Sequence, residues 1–186
     1  MLKENRNPLW LALGLVVAII ATRAHHFGNT VSLPDATLAI LFIGGMTLRR
    51  GVWLALMTTS ALLMDVYALD FQGVSDYCMS PAYWGLIPTY ALVWLMGSKL
   101  AQRADKFAVL PYAFSAWLAT SLAFVVSNAF FYAFSGRFTA MSVAEYASRV
   151  AQYYTPYVGY ALMYLGVAWA VAKALSVQTK SQARLA

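Results

Sequence analysis

The chain has 186 residues, 61% hydrophobic and 11% charged, with a mean hydropathy of +0.62 and a formal net charge of +6. Soluble domains carry about 25% charged residues, and one of this size still leaves about a third of its unfolded-chain surface in water. The composition therefore excludes an ordinary cytosolic enzyme, a nucleic-acid-binding module and a disordered tail, and indicates an all-α, polytopic membrane protein forming a single transmembrane domain over residues 1–186.

A bilayer core about 30 Å thick takes roughly 20 apolar residues as helix. The first run, Pro8–Thr22, follows Lys3 and Arg6, as a signal peptide would. No small-x-small cleavage site follows it and Arg23 stands where one belongs, so the run reads as a retained helix. His25 and His26 come next, in an outer connection. Histidine is the commonest metal ligand, but two adjacent histidines cannot reach one ion from the same helix face. The second run is Pro34–Leu48, short for a full crossing, and Arg49–Arg50 turn the chain into the third, Gly51–Leu69.

Asp65 lies about five residues, or roughly 7–8 Å, from the outer end of that third run. An ionised carboxylate at the centre of a membrane helix costs about 2.5–3.5 kcal/mol on insertion scales, so Asp65 must face the bundle or a wet cavity. It either belongs to a ligand site or locks two helices by a hydrogen bond.

The next connection contains the sole cysteine, Cys78, within Ser75-Asp76-Tyr77-Cys78-Met79-Ser80-Pro81. One cysteine excludes an intrachain disulfide and any multi-thiolate metal site. A helix beginning at Pro81 directs its positive dipole end toward this thiol and lowers its pKa, while Asp76 works in the other direction. The thiol is either inert and buried or chemically used.

The fourth run, Pro81–Ser98, leads through Lys99, Arg103 and Lys106 to the fifth, Leu110–Phe134, where Asn128 matches Asp65 in depth. Ser80 and Thr155 precede prolines at the starts of the fourth and sixth runs, as N-caps do. In the long connection 135–155, Ser142–Tyr154 carries apolar residues at helical spacing with Glu145 and Arg149 at i, i+4, which predicts a short interfacial helix. Long outer connections over a small bundle form a lid above an outward pocket or simply join helices. The sixth run is Pro156–Leu175; Tyr153, Tyr157, Tyr160 and Tyr164 make one stripe down its outer half. Such a stripe is either an aromatic belt at headgroup level or the wall of a site for a flat, polar-edged ligand.

Alternate connections divide the basic residues unequally: ten lie with the termini, Arg49–Arg50 and the 99–106 segment, and three (Arg23, Arg137, Arg149) lie opposite. The positive-inside rule then gives six transmembrane helices with both termini cytoplasmic (N-in/C-in). No P-loop, G-x-S-x-G or H-E-x-x-H motif occurs, so the chain does not itself hydrolyse ATP.

Six helices, a lone cysteine in the segment DYCMSPAYW, and His26, Asp65, Tyr83 and Arg149 on the outer side resemble the BtuM-type vitamin B12 (cobalamin) transporters over essentially the whole chain. These are similar in architecture to the S-components of energy-coupling factor (ECF) transporters, which implies an ECF S-component-like bundle in a bacterial inner membrane. The resemblance implies cobalamin as substrate, with Cys78 as an axial cobalt ligand displacing the nucleotide base. Thiolates suit such soft, polarizable centres. It further implies thiol-dependent decyanation of cyanocobalamin, the thiol helping to reduce cobalt, and contacts from His26, Asp65, Tyr83 and Arg149 to the corrinoid or its lid. A small-xxx-small face at Gly14, Ala18 and Thr22 is where such proteins dock an ECF module; the usual A-x-x-x-A form is absent, consistent with family members thought to act alone. Rival readings are a binder of another vitamin with Cys78 incidental, an intramembrane thiol enzyme pairing Cys78 with His25 or His26, and a structural subunit.

Overall fold

The computed structural model describes residues 7–23, 33–73 and 75–185, with side chains described up to 176 apart from that of Cys78. Among the described residues there are seven α-helices, three 3₁₀ turns and no strand. The helices are α1 (Pro8–Arg23), α2 (Thr37–Thr47), α3 (Gly51–Gln72), α4 (Leu86–Ala101), α5 (Val109–Phe134), α6 (Val143–Val150) and α7 (Tyr154–Leu185). Three stretches are long and apolar enough to cross a membrane: Gly51–Gln72, Val109–Phe134 and Val143–Ser176. Val17, Leu63, Val125 and Val167 are exposed on α1, α3, α5 and α7. Such apolar outer faces suit lipid and would be a liability in water.

α2 is the axis of the bundle. Only 11 residues long, or about 16 Å, it packs against α1, α3, α4 and α7. It is shorter than Pro34–Leu48 because its first turn is set by Asp35, whose Oδ1 accepts the Thr37 N–H (2.9 Å) and the Thr37 hydroxyl (2.5 Å). Phe42, Leu41, Ile19, Met57, Val93 and Leu165 are fully buried around it.

Two glycines bring α2 and α4 into backbone contact. A Cβ on Gly45 would lie 2.1 Å from the Trp94 carbonyl oxygen, and one on Gly97 would lie 2.1 Å from that of Phe42. The Ser98 hydroxyl donates to the Gly45 carbonyl across the same seam (3.0 Å). Small residues at a membrane helix crossing permit this approach, and dispersion then holds it. The turn into α3 places Arg49 in the left-handed region (φ 60°), and α3 ends on Gly73 (φ 64°), whose N–H reaches the Ala68 carbonyl.

Several expected boundaries shift. Pro81–Ser98 is not one helix: a 3₁₀ turn, Pro81–Gly85, precedes α4. Ser80 makes no side-chain cap bond, and its buried hydroxyl has no partner among the described residues. α7 starts at Tyr154, so Thr155 lies inside its first turn and is not a cap. The amphipathic segment before it does form a helix, α6, capped by the Ser142 hydroxyl accepting the Glu145 N–H (3.2 Å) and carrying the Glu145–Arg149 ion pair (2.8 Å).

Candidate functional site: an ion-paired cavity with aromatic walls

Arg23 and Asp65 build the floor of the site. Arg23 is the last residue of α1, not a loop charge as its place at the edge of an apolar run indicates, and it turns its guanidinium into the bundle. Its Nε and Nη2 donate to Oδ1 and Oδ2 of Asp65 on α3 (2.6 and 2.7 Å). Nη1 donates to Asp35 Oδ2 (2.7 Å) and to the Thr37 hydroxyl (3.1 Å). The Tyr83 hydroxyl, from the Pro81–Gly85 turn, donates to Asp65 Oδ2 (2.7 Å). Both side chains of the Arg23–Asp65 pair are about nine-tenths buried, with 10% and 11% exposure. A buried pair recovers its desolvation cost only when the remaining donors and acceptors are satisfied, and here every carboxylate oxygen of Asp65 and Asp35 accepts at least one bond.

Above this floor lies a cavity of about 600 Å³. Tyr83, Tyr90, Phe131, Tyr153, Tyr157 and Tyr160 line it with rings, Ser127 and Asn128 add polar groups, and Ser75 and Met79 stand in its wall. The tyrosine stripe thus divides: Tyr153, Tyr157 and Tyr160 face the cavity, while the Tyr164 hydroxyl bonds the Pro34 carbonyl (2.8 Å) and ties α7 to the chain entering α2. The lining comes from the C-terminal parts of α1, α3 and α5 and the N-terminal parts of α2, α4 and α7. The cavity therefore sits at the end of the bundle remote from Arg49–Arg50 and the 102–108 connection.

A second cavity of about 490 Å³ adjoins the first, sharing Asn128, Phe131 and Tyr153. Asn128 stands between them: its Nδ2 donates to the Phe124 carbonyl (2.9 Å), and its Oδ1 accepts the Tyr146 hydroxyl of α6 (3.1 Å). Tyr146 is buried against Tyr132 and Phe138, and Arg137 stacks over the Tyr77 ring at 4.1 Å. The 135–150 segment is thus packed against the end of α5 and against the turn that contains Cys78.

The sequence candidates divide accordingly. Asp65 and Tyr83 meet on the cavity floor. Arg149 lines the second cavity and pairs with Glu145, with no bond to Asp65 or Tyr83. His25 and His26 lie outside the described residues. Cys78 ends the 3₁₀ turn Asp76–Cys78, between wall residues Ser75 and Met79, and its side chain lies outside what is described. α4 starts only at Leu86, so no α-helix N-terminus adjoins Cys78, and the dipole expected to lower its pKa, which fades within one turn, is not there. Among the described residues no group of three or more His, Cys, Asp or Glu side chains converges to hold a metal ion. Sequence reasoning missed Arg23 and Asp35; the signal for both was position, a charge abutting each end of the connection between the first two apolar runs. Gly14, on the small-residue face of α1, is exposed with open space beyond it, whereas Thr22 is buried, its hydroxyl accepting the Ala36 N–H (3.3 Å).

No protein-family model matches the chain, and no curated protein matches it.

Proposed function

We propose that this chain is a six-span, N-in/C-in protein of a bacterial inner membrane that captures a corrinoid, cobalamin or a relative, in the cavity and carries it inward. One observation carries the reading: a membrane-embedded cavity with aromatic walls and a polar floor whose wall includes both neighbours of the Cys78 turn, Ser75 and Met79. A flat ring with an amide-rich edge matches aromatic surfaces above hydrogen-bonding groups. Pairing of Arg23 with Asp65 also removes one of the three opposing charges from the topology balance, which sharpens the positive-inside asymmetry. In this reading the Cys78 thiolate binds the lower face of cobalt, the nucleotide base is displaced, and an upper cyano ligand is weakened by the new donor opposite. The exposed Gly14 on α1 leaves room for an ECF module as partner.

The test is spectroscopic. Purified protein incubated with cyanocobalamin is expected to change its visible spectrum, and Cys78→Ser is expected to abolish the change. A wild-type spectrum that stays that of free cyanocobalamin rejects cobalt ligation.

The volume favours a second reading. Cavities of roughly 300–1,000 Å³ bury drug-sized ligands almost whole, and a corrinoid with its nucleotide loop is larger than these, so part of it would lie outside the 600 Å³ chamber. A smaller vitamin-like ring would be enclosed. That reading predicts tight binding of such a ligand, indifferent to Cys78→Ser.

A further inference from the structure

The charge on the cavity wall does not balance. Its described ionisable lining groups, tyrosines apart, are one guanidinium, Arg23, and two carboxylates, Asp35 and Asp65. Asp65 accepts from Arg23 through both oxygens, and Asp35 accepts from Arg23 through one and from Thr37 through the other, so every oxygen of the two side chains serves as an acceptor. Arg23 cancels one. The Asp35 side chain, 28% exposed beside a guanidinium 10% exposed and an Asp65 side chain 11% exposed, is the most open of the three. Six aromatic rings line the same space, and an aromatic face carries negative potential that attracts a cation. Arg149 lines the second cavity and is paired with Glu145.

We infer that the cavity selects a ligand by positive charge: an organic cation, or a ring system with a cationic centre and N–H donors on its edge, in preference to an anion of the same shape. The inference deepens the capture reading above and rests on it. It excludes carboxylate- or phosphate-headed vitamins that would enter head first. Asp35, the more exposed of the two carboxylates, is the residue that sets the preference.

The experiment uses the full chain in non-ionic detergent, with empty micelles subtracted, and two probes of one shape: (naphthylmethyl)trimethylammonium and naphthylmethanesulfonate. Titration calorimetry is expected to give at least about tenfold tighter binding of the cation, as one unscreened charge at short range in a poorly hydrated site produces. Asp35→Asn is expected to remove the difference, and Asp35→Glu, which keeps the charge, to retain it. The inference is overturned if the sulfonate binds as well as the cation, if neither binds, or if Asp35→Asn leaves the preference intact. A cation preference in a protein that leaves the cyanocobalamin spectrum unchanged upholds the charge rule and removes the corrinoid. A changed spectrum without a cation preference does the reverse.

Discussion

Arg23 holds four acceptor contacts on three residues, and removing it leaves the buried Asp65 without its counter-ion. Breaking a buried pair from one side costs about 3–5 kcal/mol, so Arg23→Gln should lower the unfolding transition in detergent sharply. Adding Asp65→Asn should recover most of that loss, since the orphaned charge goes with it; a double variant as unstable as the single one rules this account out. Tyr83→Phe removes one bond to a carboxylate and should cost about 1.5 kcal/mol. Far from the cavity, the Asp105 carboxyl is held below the ordinary carboxylate range by the Arg103 guanidinium, which donates to both its oxygens at 2.9 and 3.0 Å. A lowered folded-state pKa means that this contact contributes above the unfolded value and is lost as pH falls through the folded one. NMR titration of Arg103→Gln should return Asp105 toward about 3.9. Asp65 was legible in the sequence because a carboxylate within an apolar run demands a partner. That the partner is Arg23 was not, because the two lie 42 residues apart and Arg23 stands where a run ends and a loop charge is expected.

Among the elements, α2 and α4 are held closest, at Gly45 and Gly97, where any side chain meets a carbonyl oxygen. Gly97→Leu must drive the two helices apart and should cost several kcal/mol, by the overpacking penalty of about 1–3 kcal/mol plus lost contacts along the seam. Gly14→Leu, with nothing within 4 Å of its Cβ position, should leave the melting temperature nearly unchanged and serves as the control. Equal loss from both would assign the effect to glycine itself. Apolar runs marked out the helices because lipid and core both reward the same residues. They could not mark where α2 begins, since Pro34, Asp35 and Ala36 are compatible with a helix start and only the Asp35–Thr37 bonds choose Thr37. The 3₁₀ turn Pro81–Gly85 was hidden in the same way, because its spacing differs from α-helix by little over five residues. α6 was readable from its i, i+4 pair and its apolar residues at helical spacing, both of which are local.

For the whole molecule, the cavity lies at one end of the bundle and the dense basic clusters at the other. Under the proposed N-in/C-in topology, a membrane-impermeant maleimide applied to intact cells should label Thr139→Cys and spare Ala104→Cys, each in a Cys78→Ser background. The opposite pattern would turn the cavity toward the cytoplasm and end the case for capture from outside. The site was only partly legible at this scale: Asp65, Tyr83, Tyr153, Tyr157 and Tyr160 came together at one end of the bundle, whereas Tyr164 turned to the Pro34 carbonyl and Arg149 was carried by α6 to a neighbouring chamber.

The Arg23–Asp65 tie also bears on how the chain is made. Arg23 leaves the ribosome 42 residues ahead of its counter-ion, a delay of a few seconds at about 5–20 residues per second. Under the proposed six-span topology, the guanidinium at the end of the first helix lacks its counter-ion during that interval, which predicts that the first three apolar segments leave the insertion machinery as a set. A nascent chain arrested before Asp65 should therefore remain crosslinked to the translocon, and one arrested well after it should not.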